Sequence, residues 1–88
     1  MKNNKIAIIG LGYVGLPVAV LFSKQYKVIG YDINNKRVKE LNRFNDSTLE
    51  ISNSQLEDSL NHNLTITHDI SDIKDSNVYI ITVPTPIK

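Results

Sequence analysis

A loop of three glycines between an apolar strand and an apolar helix is the feature that most restricts the fold of this chain. The loop Gly10-Leu11-Gly12-Tyr13-Val14-Gly15 follows directly on the β-forming run 5–9. In this setting Gly10 permits a tight turn, Gly12 lets the backbone approach a pyrophosphate, and Gly15 allows the helix to pack close to the sheet. The helix then presents free N–H groups to the phosphates. The pattern predicts a dinucleotide-binding loop, and the alternative is an ordinary turn from strand to helix.

A carboxylate at the end of the next predicted strand favours the dinucleotide interpretation. The run 27–31 leads to Asp32, which lies 22 positions after Gly10. An acid about 20 residues beyond the glycine loop hydrogen-bonds the adenosine ribose in dinucleotide-binding domains. The same carboxylate would lie about 4 Å from the 2′-phosphate of NADP, a repulsion of roughly 4 kcal/mol at an effective dielectric constant near 20. The sequence therefore predicts NAD as the cofactor.

Arg37 is the one feature that weakens this choice between NAD and NADP. It follows Asp32 by five residues, in the first turn of the next predicted helix. An arginine in this region can accommodate a 2′-phosphate. We expect Arg37 to pack over the adenine or to reach the ribose. The alternative is a solvated arginine on the helix surface, because most arginines are exposed.

Strands and helices alternate along the chain, which predicts an α/β fold, a Rossmann-like doubly wound parallel sheet in the order 3-2-1-4. The strands are predicted at 5–9, 27–32, 64–67 and 78–83. Helices are predicted from Val14 to Lys24, from a cap at Asn34 or Asn35 to Phe44, from a cap at Asn53 or Ser54 to Leu60, and as a short turn from Asp69 to Lys74. In the first helix, an apolar stripe is expected at Val14, Val18, Leu21 and Phe22.

The carboxyl end of the fourth predicted strand lies beside the glycine loop in this topology. Open parallel sheets bind ligands at that edge, so Thr82, Pro84 and Thr85 are expected to form a second contact with the cofactor. Pro84 and Pro86 would stiffen this segment by fixing φ. The alternative is an ordinary Pro-Thr turn leaving a strand.

Length and charge restrict the class of protein further. A dinucleotide-binding Rossmann domain runs to about 150 residues, so we expect residues 1–88 to be an N-terminal NAD-binding Rossmann half-domain of a longer enzyme, truncated after about four strands. The formal net charge is +1 and the basic residues are dispersed, which argues against a nucleic-acid partner. No apolar run approaches the roughly 20 residues of a membrane span, and no signal peptide is evident. We expect a cytoplasmic protein.

Metal binding and hydrolytic catalysis have little support in the sequence. His62 and His68 flank the third predicted strand, with no cysteine in the chain and no clustered acids beside them. Asp69, Asp72 and Asp75 recur every third position but lack the glycine and terminal glutamate of a calcium loop, so helix capping and solvation are expected. No serine lies in a G-x-S-x-G turn. The sequence predicts no metal site.

Three segments together resemble the UDP-glucose/GDP-mannose dehydrogenases, which are nucleotide-sugar 6-dehydrogenases. They are 5–17, 30–38 and 80–86, and their most discriminating parts are Tyr13-Val14 within the glycine loop and Val83-Pro84-Thr85-Pro86. The resemblance implies that the backbone of Tyr13 and Val14 binds NAD and that Asp32 binds the adenosine ribose. It also implies that Arg37 lies against the adenosine end and that Thr85 contacts the cofactor.

The resemblance further implies oxidation of the C6 hydroxymethyl group of a UDP-sugar to a carboxylate, in two NAD-dependent steps, for surface polysaccharide synthesis by a homodimeric parent enzyme. The family's catalytic cysteine and its helpers are not matched here and are expected beyond residue 88, so the chain alone should bind NAD without oxidising a substrate. The segment Asp46-Ser47-Thr48-Leu49-Glu50 resembles the branch acting on UDP-N-acetylhexosamines more than the UDP-glucose branch, where Glu-Pro-Gly is usual.

Two other classes of protein share the glycine loop. A non-catalytic NAD-sensing regulatory module would use the same loop without chemistry. A reductase of the 6-phosphogluconate type would be expected to carry an NADP-type residue in place of Asp32.

Overall fold

The computed structural model describes residues 4–46 and 51–82, which form a parallel four-stranded sheet with helices packed against it. The strands are β1 (Lys5–Ile9), β2 (Lys27–Tyr31), β3 (Leu64–Thr67) and β4 (Val78–Ile81), in the order β3-β2-β1-β4. The helices are α1 (Gly15–Phe22), α2 (Asn35–Asn42) and α3 (Asn53–Leu60), with a 3₁₀ helix at Ile70–Ile73. The predicted Rossmann-like α/β fold and its strand order are confirmed. Within the described ranges, no helix is long and apolar enough to cross a membrane.

The register of the sheet brings the carboxyl ends of the strands together. Ile9 lies opposite Tyr31 on one side and Ile81 on the other. The backbone pairing continues one residue further, because the Gly10 N–H donates to the Tyr31 carbonyl at 2.8 Å and the Thr82 N–H donates to the Ile9 carbonyl at 2.8 Å. The glycine loop therefore leaves the sheet between the ends of β2 and β4.

Apolar residues that are buried on both sides of the central strands form the core. A parallel strand covered on both faces reads as a continuous apolar run, and β1 is of this kind. Each fully buried Leu or Ile side chain adds about 2 kcal/mol to stability, before the cost of ordering the chain. The buried residues of this cluster include Ile6, Ile8, Leu11, Leu16, Ala19, Val28, Leu41, Leu56 and Leu64.

The face that α1 buries agrees with the predicted stripe only in part, because Val18 and Phe22 are partly buried against the core. Val14 and Leu21 are 63 % and 59 % exposed, whereas Leu16 and Ala19 are fully buried. The helix sequence GLPVAVLF is apolar at every position after its glycine, so the pattern could not indicate which side faces the sheet. The helix also ends at Phe22 rather than Lys24.

The ends of α2 follow from local chemistry. The Asn34 side chain accepts hydrogen bonds from the N–H groups of Lys36 and Arg37, so it is the N-cap. Phe44 adopts a φ of 64°, in the left-handed region, and the helix ends at Asn42, earlier than predicted.

Ser52 caps α3, in place of the predicted Asn53 or Ser54. Its hydroxyl oxygen accepts from the Gln55 N–H at 3.2 Å, and the Gln55 side-chain oxygen accepts from the Ser52 N–H at 3.3 Å. This is a capping box, and its S-x-x-Q spacing was present in the sequence. A reciprocal pair satisfies two backbone donors, which a lone cap at Asn53 or Ser54 would not.

Candidate functional site

Gly10 and Gly15 are required by the packing of the chain itself. Gly10 has a φ of 100°, and a Cβ there would overlap the carbonyl oxygen of Thr82. A Cβ on Gly15 would overlap the carbonyl oxygen of Gly10 and the hydroxyl of Thr82. The tight turn predicted at the first glycine is confirmed, and so is the close approach of the helix predicted at the third.

Gly12 is different, because nothing in the described part of the chain requires it to be glycine. No heavy atom lies within 4 Å of the position that a Cβ would occupy, and the backbone there is not in the left-handed region. Gly12 lines a cavity at the carboxyl edge of the sheet. A bare backbone beside open space fits a ligand that must approach the main chain closely.

The start of α1 offers backbone donors next to this space. Val14 occupies the N-cap position and makes no side-chain capping bond. The N–H groups of Tyr13 and Val14 donate to no described residue, and both side chains are exposed. Unpaired N–H groups and the positive end of the helix dipole make such a terminus a binding place for anions.

Asp32 ties the glycine loop to the end of β2. Its Oδ2 accepts from the Leu11 N–H at 2.9 Å, and its Oδ1 accepts from the Asn34 N–H at 2.9 Å. Each carboxylate oxygen can accept a second hydrogen bond, so ribose hydroxyls can still donate to it. Contact with the ribose stays a prediction, and the structure adds that Asp32 also shapes the loop.

Arg37 is 9 % exposed, so the alternative of a solvated surface arginine is wrong. Its Nε donates to the Leu11 carbonyl at 2.8 Å. Its Nη1 donates to Asp46 Oδ1 at 2.9 Å and lies 3.4 Å from Glu40 Oε2. Its Nη2 is buried and has no hydrogen-bond partner within residues 4–46 and 51–82. Arg37 lines the same cavity as Gly12 and Asp32, and its contact with adenosine stays a prediction.

Asp46 was not among the candidate site residues predicted from the sequence. Its side chain is fully buried, with one oxygen on Arg37 and the other accepting from the Ile51 N–H at 3.0 Å. A carboxylate in a polar loop is expected to be solvated, so the local pattern carried no signal of burial. The contact joins two segments that only the tertiary fold brings together.

Thr82 lies on the other side of the loop. Its hydroxyl donates to the Gly10 carbonyl at 2.8 Å, so its proton is used within the chain, and its oxygen can still accept. It lines the cavity, as its predicted cofactor contact requires. Pro84 and Thr85 lie outside the described residues, and their contact with the cofactor stays a prediction.

One cavity of about 490 Å³ brings these groups together. Its lining combines the glycine loop, the end of β2, the start of α2 and the end of β4. A cofactor site of this size is usually concave and largely apolar, with a few placed polar groups. The residues present fit a dinucleotide, because the open backbone of Gly12, the carboxylate of Asp32 and the buried Arg37 line this cavity, and the N–H donors at the start of α1 follow Gly12 directly in the chain. The lining residues are Ile9, Gly10, Leu11, Gly12, Tyr31, Asp32, Ile33, Asn34, Arg37 and Thr82.

Three titratable residues outside this cavity make local hydrogen bonds. Asp69 caps the 3₁₀ helix, and hydrogen bonds from the Ser71 hydroxyl and N–H hold the pKa of Asp69 below its usual value. Asp72 accepts a hydrogen bond from the Thr67 hydroxyl at 2.6 Å. His62 is exposed, and its Nδ1 donates to the Asp58 carbonyl at 2.7 Å. Over residues 4–46 and 51–82, no group of three His, Cys, Asp or Glu is placed to hold a metal ion.

Comparison with known proteins gives a consistent result. Residues 4–88 match the family model for the UDP-glucose/GDP-mannose dehydrogenase family, NAD binding domain. UDP-N-acetyl-D-glucosamine 6-dehydrogenase from Salmonella typhi is 53 % identical over 83 residues, which cover 94 % of this chain and 19 % of that protein. The enzyme with the same description from Pseudomonas aeruginosa is 48 % identical over 87 residues, covering 99 % of this chain and 20 % of that protein.

A solved structure agrees with these sequence relatives. The UDP-D-ManNAc dehydrogenase from Pyrococcus horikoshii superposes with a TM-score of 0.88 at 39 % identity, over 96 % of this chain and 21 % of that chain. The chain thus spans about a fifth of the length of the relatives that it matches.

Proposed function

The chain belongs to the UDP-glucose/GDP-mannose dehydrogenase family, whose NAD binding domain it matches, and from this premise we propose that it holds the NAD of a UDP-sugar 6-dehydrogenase. NAD, when bound, accepts hydride from the substrate carbon. The observation that carries the proposal is one cavity lined by Gly12, Asp32 and Arg37, with the N–H groups of Tyr13 and Val14, which donate to no described residue, directly after Gly12 in the chain. These groups supply the binding and orientation that this cofactor needs.

Each part of the cavity has a proposed place along the cofactor. The pyrophosphate lies against the backbone of Gly10, Gly12 and Gly15 and accepts hydrogen bonds from the free N–H groups of Tyr13 and Val14. A negative ligand at this terminus gains about 0.3–1 kcal/mol from the helix dipole when the site is exposed. The partial positive charge of α1 and the three glycines together make this the phosphate end of the site.

The adenosine lies on the β2 side of the loop in this proposal. Asp32 accepts from the ribose hydroxyls with the lone pairs that Leu11 and Asn34 leave open. Arg37, which lines the same cavity, lies against the adenosine end. Thr82, Pro84 and Thr85 contact the cofactor from the β4 side, beyond the pyrophosphate.

The proposed substrate is a UDP-N-acetylhexosamine, whose C6 hydroxymethyl group is oxidised to a carboxylate for surface polysaccharide synthesis. The support is the naming of the relatives at 53 % and 48 % identity, both described as acting on UDP-N-acetyl-D-glucosamine. These relatives are about five times longer, so we place the catalytic cysteine and its helpers elsewhere in a longer polypeptide, of which residues 1–88 are an N-terminal NAD-binding Rossmann half-domain. We propose that this parent enzyme is a homodimer and is cytoplasmic.

A titration of the isotope-labelled chain with NAD, followed by two-dimensional NMR of the backbone amides, tests the binding site. Shifts are expected at Gly12, Tyr13 and Val14, with smaller ones at Leu11 and Asn34. The method detects millimolar affinities, so weak binding is sufficient. Shifts confined to the far side of α1 and α3, or none at all, would contradict the proposed site.

The catalytic part of the proposal is tested on the product of the complete reading frame. With UDP-N-acetylglucosamine and NAD, two molecules of NADH are expected for each sugar oxidised, because an alcohol becomes a carboxylate in two hydride transfers. NAD binding without NADH formation from any UDP-sugar would favour a non-catalytic NAD-sensing module instead.

A further inference from the structure

The guanidinium of Arg37 lies beside the proposed ribose site, but its Nε and Nη1 already donate hydrogen bonds within the chain. Arg37 and Asp32 line one cavity, so Arg37 lies where an arginine could accommodate the 2′-phosphate of NADP. Its Nε donates to the Leu11 carbonyl, and its Nη1 forms ion pairs with Asp46 and Glu40. The free positive charge that the sequence indicated near the ribose is therefore already paired.

The remaining donor of Arg37 cannot form the fork that binds phosphate well. An arginine grips a phosphate with two parallel N–H donors, either Nε with Nη2 or Nη1 with Nη2. Both pairs contain a nitrogen that is already donating within the chain. Nη2 is itself buried, so no pair of guanidinium donors is open to a phosphate in the cavity.

Asp46 is the residue that keeps the guanidinium in this arrangement. Its carboxylate is fully buried and is 2.9 Å from Nη1, while its other oxygen is anchored by the Ile51 N–H. A buried carboxylate is stable only when it is paired and hydrogen-bonded, so each ion holds the other in place. Glu40, at 3.4 Å and partly exposed, is the weaker partner.

We propose that Asp46 is a specificity-determining residue, which excludes NADP by holding and neutralising Arg37 so that nothing offsets the repulsion between Asp32 and a 2′-phosphate. Asp46 acts through Arg37 and need not touch the cofactor, so it is a positioning residue. The inference rests on the proposed function, because it takes the adenosine ribose to lie at Asp32.

The decisive variant is Asp46→Asn. Its side-chain oxygen can still accept from Ile51, whereas its amide group faces Nη1 with a donor and releases the guanidinium. The ratio of NADP to NAD affinity is expected to rise about tenfold, the size of one charge-assisted hydrogen bond to phosphate. NAD affinity itself should stay within about twofold, because the phosphate donors and Asp32 are unchanged.

Two control variants separate this effect from a general change of charge. Asp75→Asn removes the same charge from an exposed position and should leave the ratio unchanged. Adding Arg37→Gln to Asp46→Asn should abolish the gain in NADP affinity. A gain that persists without the guanidinium would overturn the role of Asp46.

If Asp46→Asn fails to fold, a measurement on the unaltered chain tests whether Arg37 stays held when NADP is present. The Nε–H of Arg37 is buried and hydrogen-bonded, so its NMR signal should be observable and should move no further with NADP than with NAD. A large shift of this signal with NADP alone would overturn the inference, as would an unchanged affinity ratio in a folded Asp46→Asn. If NAD does not perturb Gly12, Tyr13 and Val14 in the unaltered chain, it is the proposed function that fails.

Discussion

The two sides of the glycine loop are built in different ways. On the β2 side, the charged residues Asp32 and Arg37 hold the loop through the N–H and carbonyl of Leu11. On the β4 side, the neutral Thr82 packs against Gly10 and Gly15 so closely that neither glycine can carry a Cβ. We propose that close packing on the β4 side fixes the backbone at the two glycines, while the charges on the β2 side, which also hold the loop at Leu11, select NAD over NADP.

The strands β1 and β4 also differ, in how far their side chains are buried. The residues Ile6, Ala7 and Ile8 of β1 are buried, whereas Tyr79 and Ile81 of β4 are 46 % and 67 % exposed. Both strands are apolar runs of similar length, so their sequences do not distinguish a central strand from an edge. The position in the sheet makes the distinction, because β1 has a neighbour on each side and β4 pairs with β1 alone among the described strands.

The largest effect is expected from Gly10→Ala, on the β4 side. The alanine would have to adopt a φ of 100° and would overlap the Thr82 carbonyl, so the free energy of unfolding should fall by about 3 kcal/mol or more. Urea denaturation followed by circular dichroism measures this change. The matched control is Gly12→Ala, which has open space for its Cβ and should change the free energy of unfolding by less than about 1 kcal/mol.

The same two variants separate the effect of a glycine on folding from its effect on NAD binding. Gly12→Ala should fold normally and still bind NAD more weakly, because its methyl group enters the space proposed for the pyrophosphate. If Gly10→Ala and Gly12→Ala lose equal stability, the packing described for the β4 side is wrong. If Gly12→Ala binds NAD as well as the unaltered chain does, the pyrophosphate lies elsewhere.

Much of the fold was predictable because the decisive signals are local. The glycine spacing predicted the turn at Gly10 and the close helix at Gly15, and the alternation of strands and helices predicted the sheet order. The phase of α1 was not predictable, since a helix that is apolar all round does not indicate its buried face. The cap at Ser52 carried a clear signal, the S-x-x-Q spacing, that the prediction did not use.

The site was predictable only where backbone position decides it. Asp32 follows directly from the end of β2, and the parallel topology brings Thr82 to the same edge. The buried ion pair between Arg37 and Asp46 could not be predicted, because an arginine on a helix and an acid in a polar segment are both expected at the surface. Their burial depends on where Asp46 lies relative to α2, which no local pattern specifies.

Asp32→Asn is expected to have the next largest effect, on the β2 side. The neutral amide no longer repels a 2′-phosphate, so NAD binding should weaken and the preference for NAD over NADP should narrow about tenfold. Calorimetric or NMR titration with both cofactors measures the two affinities. Asp58→Asn, at an exposed position on α3, is the control for loss of charge. An unchanged ratio would show that Asp32 does not face the ribose.

The smallest effect is expected from Thr82→Val, which keeps the shape of the side chain and removes its hydroxyl. The hydrogen bond to the Gly10 carbonyl is lost, so the free energy of unfolding should fall by about 1 kcal/mol, and Thr82→Ser should restore most of it. Because the β4 side carries no charge at this point, the ratio of NAD to NADP affinity should not move in either variant. A change in that ratio would mean that residues on both sides of the loop select between NAD and NADP. The proposal that only the β2 side selects the cofactor would then be wrong.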